Sequence, residues 1–126
     1  MKKLLFVLLL SISSVVHAQW FLVGENSEGR YYIELSTIQQ IGQYKRAWTR
    51  FEFFIDSKMN TKMNVRSDRG MNEYDCNERK YRRLNYQIYK QPNFIEQIHS
   101  SNKVWEWEFI APDTVLADGL NLVCKK

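Results

Sequence analysis

Apolar and polar positions alternate with period two along most of the chain, in runs too short for long helices. Residues 45–55 are the clearest case. Ala47, Thr49, Phe51, Phe53 and Ile55 fall on one face, and Trp48, Arg50, Glu52 and Phe54 on the other, which is strand spacing. Residues 20–23 form an apolar run that ends in the turn signal Gly24-Glu25-Asn26-Ser27-Glu28-Gly29, and residues 30–35 read as the next strand. A polar connection follows over 36–44. Residues 56–70 are polar and basic and read as a loop or irregular hairpin. Strand character returns at 71–77, with Tyr74 and Cys76 on one side. It returns again at 79–90, where Leu84, Tyr86 and Ile88 alternate with Arg83, Asn85 and Gln87. Gln91-Pro92-Asn93 breaks that run, residues 94–103 show no clear period, and residues 104–110 alternate acid with aromatic as a half-exposed strand.

The pattern changes after Pro112. Asp113 and Thr114 suit a helix cap and Pro112 a helix entrance. Leu116, Leu120, Val123 and Cys124 then share a helical face. Gly119 weakens such a helix by about 1 kcal/mol relative to Ala, and one short helix is marginal in water unless something holds it down. The elements predict an α+β fold: about six strands, mostly antiparallel because the connections are short, with one C-terminal helix packed on the sheet. No repeat, low-complexity tract or linker divides the chain.

The first residues follow another logic. Lys2 and Lys3 precede an unbroken apolar run, Leu4 to Leu10, and Val16-His17-Ala18 offers a cleavage site before Gln19. Residues 1–18 read as a signal peptide and 19–126 as one mature domain with a modest core. A retained anchor is the weaker alternative, because the run falls short of the ~20 residues that span a bilayer. No cysteine lies near the cut, so a lipid-modified N-terminal cysteine is not expected. The mature chain is expected to be periplasmic, outer-membrane associated or secreted. In such an oxidising compartment, Cys76 and Cys124 have one intramolecular pairing open to them. Chain-entropy arithmetic puts that link at roughly 4 kcal/mol, and it would tie the helix to the sheet. Free thiols or metal ligation would require a reducing compartment or further ligands.

Charge and chemistry narrow the function. The net charge of +4 includes Lys2 and Lys3, whose loss leaves 16 basic against 14 acidic residues. That balance is too weak to argue for nucleic acid. Only His99 remains after cleavage, and no HExxH, CxxC, nucleophile elbow or glycine-rich phosphate loop accompanies it. Glu106 and Glu108 alternate with Trp105, Trp107 and Phe109 as the wet side of a strand. No catalytic residue, metal or cofactor is therefore expected, and the chain reads as a binding protein. Two basic clusters remain. Lys58, Lys62, Arg66 and Arg69 share a segment with only Asp56 and Asp68 as acids, and Arg79-Lys80-Tyr81-Arg82-Arg83 forms the second. Each can be a solvated face whose arginines pair with acids such as Glu73, Asp75 and Glu78, or a cationic patch for an acidic partner.

Three stretches, in order, resemble the bacterial surface-adhesin protein E family. They are Tyr31-Tyr32-Ile33-Glu34 ahead of Ser36-Thr37-Ile38, Glu73-Tyr74-Asp75-Cys76 followed by Arg79 and Arg82, and Ala111-Pro112-Asp113-Thr114 through Val123-Cys124. The resemblance spans nearly the whole mature chain. It implies a six-stranded antiparallel sheet with a C-terminal helix tied across it by the cysteine pair, association with the surface or outer membrane, and binding of host proteins such as vitronectin and laminin. It also implies that ligand-binding basic residues lie before the strand of the first cysteine, where Lys62 is the best positional match and Lys58, Arg66 and Arg69 are its neighbours. A homodimer is compatible with this reading. The alternative is a periplasmic structural or inhibitory module that contacts another envelope protein through Trp48, Trp105 and Trp107, unless these pack into the core.

Overall fold

The computed structural model describes residues 19–125, and the expected signal peptide lies outside the described residues. The strands are β1 (Trp20–Glu25), β2 (Gly29–Glu34), β3 (Gln39–Ile41), β4 (Tyr44–Phe53), β5 (Ser67–Asp75), β6 (Lys80–Gln91), β7 (Ile95–Ser101) and β8 (Glu108–Phe109). They form one antiparallel sheet in the order β1-β2-β4-β5-β6-β7, with β3 added to β4 and β8 to β6. Among the described residues two α-helices complete the fold, α1 (Lys58–Met63) and α2 (Val115–Val123). No helix among the described residues is long and apolar enough to cross a membrane.

α2 lies against one sheet face. Thr114 caps it by accepting from the Ala117 amide at 3.2 Å. Its buried residues Ala117, Leu120 and Val123 meet Tyr31 and Ile33 of β2, Ala47 of β4 and Tyr74 of β5. Gly119 sits where the helix approaches most closely: a Cβ there would lie 2.7 Å from Tyr31 Cε1. The glycine that costs helix propensity is thus the residue that lets the ring in. Cys124, which caps the helix C-terminus, is bonded to Cys76 in the turn after β5, with Cα atoms 5.7 Å apart. The staple therefore joins helix and sheet as expected.

Four segments depart from the sequence expectation. Residues 56–70 are not a loop: they hold α1 and the start of β5. Buried Ser57 caps α1 through the Asn60 amide at 3.1 Å, and Asn64 closes it in the left-handed region at φ 55°. α1 contains no buried residue, so it leaves no apolar period to read. β5 begins at Ser67 because polar residues suit this interior strand. Ser67 Oγ donates to Gln91 O at 2.6 Å, and a Cβ on Gly70 would lie 2.2 Å from Asn85 O. Residues 39–41, within the expected polar connection, pair with β4 as β3. Of residues 104–110 only Glu108 and Phe109 form a strand, because Trp107 stacks on Tyr44 at 4.9 Å and the Trp105 amide makes a single bond to Arg83 O. The unassigned stretch 94–103 supplies edge strand β7.

A bulge in β6 redirects its side chains. Met71 pairs with Asn85 but Asn72 pairs with Arg83, so Leu84 is the additional residue. Across the bulge the alternation reverses. Tyr81 and Arg83 consequently face the same way as Tyr86 and Ile88, toward α2.

Candidate functional site

The basic segment runs from α1 into β5, at the end of the sheet that also carries the β1–β2 turn. Glu28 of that turn accepts from the Lys58 amide at 2.9 Å and so ties the first turn of α1 to the sheet. Lys58 and Lys62 are one helical turn apart, share a side of α1, and are exposed. Arg66 and Arg69 are placed differently. Arg66 Nε donates to Phe53 O at 2.9 Å. The Arg69 guanidinium lies over Phe94 at 4.7 Å and Tyr89 at 5.6 Å, on the sheet face opposite α2. Its cross-strand neighbour Arg50 stacks on Tyr32, Phe94 and Trp20 at 4.8–5.5 Å and pairs with Glu52. The four residues thus divide into two lysines presented to solvent and two arginines that brace this end of the sheet.

None of the four makes an ion pair among the described residues. The acid within the segment, Asp68, turns to the α2 face and meets Arg83 at 3.4 Å. In the second cluster Lys80, Arg82 and Arg83 each hold an acid instead. Glu73, 1% exposed, accepts from Arg82 and Arg46, each at 2.7 Å, and Lys80 lies 4.0 Å from Asp75. Arg79 donates to Asn121 of α2 at 3.0 Å. Arg82 also covers Trp107 at 4.5 Å. The register Arg46–Glu73–Arg82 across β4, β5 and β6 brings these groups together. Neither sequence position nor composition announces that arrangement.

His99 stands on edge strand β7, not in a loop, and its Nε2 lies 3.4 Å from Tyr86 Oη. No cluster of three or more metal-ligating side chains occurs among the described residues. Trp48 and Trp107 are half-buried. Trp105 remains 39% exposed and packs against Tyr86.

Comparison with known proteins places this geometry. The family model for surface-adhesin protein E matches residues 20–125. Two solved structures of Haemophilus influenzae protein E align with a TM-score of 0.61. Crystal form II is 15% identical over 87% of this chain and 90% of that one, and the selenomethionine form 16% identical over 87% and 88%. A structure of protein E from non-typeable Haemophilus influenzae aligns with a TM-score of 0.53 at 15% identity, over 86% of this chain and 76% of that one. At this identity the likeness speaks for the fold. A search of curated proteins found no match.

Proposed function

The chain belongs to the surface-adhesin protein E family, and from that premise we propose that it is an exported, non-enzymatic protein-binding module whose basic segment contacts an acidic face of its partner. Host matrix or serum proteins such as vitronectin and laminin are the partners this reading favours, with the chain at the cell surface or outer membrane. The observation that carries it is the unequal fate of the two basic clusters. Cations that already hold an acid have little left to offer a partner, whereas Lys58 and Lys62 are exposed and unneutralised. Charges of this kind speed encounter and set orientation more than they add affinity, and salt screens them over about 8 Å at physiological ionic strength.

The test uses the mature chain on immobilised vitronectin and laminin, beside an unrelated protein of equal net charge. Wild type should bind better than that control, and the Lys58→Ala/Lys62→Ala variant should lose the excess. Binding no better than the control would end the adhesin reading.

A second reading draws on a different surface. Val104, Trp105 and Phe109 are exposed, Phe109 at 75%, which favours a contact with another envelope protein. Protease treatment of intact cells separates the two: a chain protected until the outer membrane is opened cannot touch host matrix.

A further inference from the structure

Beside α2, on the sheet face that the β6 bulge rearranges, lies a partly open cavity of about 240 Å³. Phe51, Tyr81, Trp105 and Leu116 form its walls, and Asp68, Asn72 and Arg83 its polar floor. The floor carries no net charge, because Asp68 and Arg83 pair at 3.4 Å. Burial raises the Asp68 carboxyl above 3.8, with Arg83 opposing it, so the floor disfavours added charge of either sign.

Two floor atoms have no partner within the protein, Asn72 Oδ1 and Arg83 Nε. Asn72 is 3% exposed, and its Nδ2 donates to Tyr74 Oη at 3.3 Å, which leaves Oδ1 as an acceptor. Arg83 Nε–H can only donate. The two residues are cross-strand partners beside the bulge, and both line the cavity. A ligand group that meets both must donate to Oδ1 and accept from Nε–H, which a hydroxyl can do. Aromatic walls suit a ring. A cavity of about 150 Å³ holds benzene, so 240 Å³ has room for one substituted ring.

We propose that this cavity binds a neutral phenol, whose ring lies between Phe51, Tyr81 and Trp105 while its hydroxyl donates to Asn72 Oδ1 and accepts from Arg83 Nε. The site is separate from Lys58 and Lys62 and does not depend on the adhesin reading. A phenol reaches it either as a free small molecule or as a tyrosine side chain on a polypeptide.

The test is titration of the mature chain with p-cresol and with toluene, followed by amide chemical shifts. p-Cresol should bind saturably and at least tenfold more tightly than toluene, with the largest shifts at Asn72, Arg83 and Trp105. Arg83→Lys, which keeps the charge facing Asp68 but removes Nε–H, should reduce the preference for the hydroxyl. Leu116→Trp should block both ligands. A tyrosine-centred peptide that binds more tightly than p-cresol and its phenylalanine counterpart assigns the source to a polypeptide, and the reverse order assigns it to a small molecule. Equal binding of p-cresol and toluene by wild type would overturn the proposal, since it would mean that water satisfies the two atoms. So would absence of saturable binding, or an undiminished preference in a folded Arg83→Lys variant.

Discussion

Tyr31 and Tyr74 share a hydrogen bond of 3.1 Å across the core. Burial pushes both phenols above 10.0, Tyr31 well above it, where the neighbouring Tyr74 adds to the effect. The unfolded chain releases these protons near pH 10 while the folded one keeps them, so stability falls as pH rises past that point. In an absorbance titration at 295 nm, Tyr31 and Tyr74 should ionise only together with loss of far-ultraviolet dichroism. Ionisation of all seven tyrosines with the dichroism intact would contradict this. Asp68 follows the same sign at lower pH. Its raised carboxyl retains a proton that the unfolded chain has lost, so its contribution to stability declines as pH rises from 3.8. Asp68→Asn should therefore gain on wild type between pH 4 and pH 7 in denaturant melts. Gly119→Ala should destabilise by about 1–3 kcal/mol through overpacking against Tyr31, despite its better helix propensity. Sequence alone points the other way.

α2 was legible because it announces itself three times, by its cap, its apolar face and its cysteine. Reduction, or Cys76→Ser with Cys124→Ser, should cost about 4 kcal/mol for a loop spanning 48 residues, read as a lowered midpoint in urea. α1 was not legible, since a helix that buries nothing leaves only Ser57 and Asn64 as signals. The β6 alternation was visible, but Leu84 as a bulge was not. Nothing in residues 79–90 distinguishes the extra residue from its neighbours, and the bulge shows only in the pairing with β5. That one residue decides whether Arg83 faces the cavity or the opposite side.

For the molecule as a whole, the fold class, the antiparallel pairing and the staple followed from short-range pattern and cysteine count. The distribution of charge did not. Both basic clusters read alike along the chain, yet one meets Glu73, Asp75 and Asp68 through non-local register while the other retains two exposed lysines. Candidate residues could be named from sequence, but their division into contact lysines and bracing arginines could not. The most direct measurement compares vitronectin and laminin binding by two double variants of equal charge change. Lys58→Ala/Lys62→Ala removes the α1 cations. Lys45→Ala/Lys103→Ala removes two that also lack an ion pair among the described residues but lie elsewhere. The first should lose at least tenfold in association rate, and the second should stay within twofold of wild type. Equal losses, or an undiminished rate for the first, would contradict the contact role of Lys58 and Lys62.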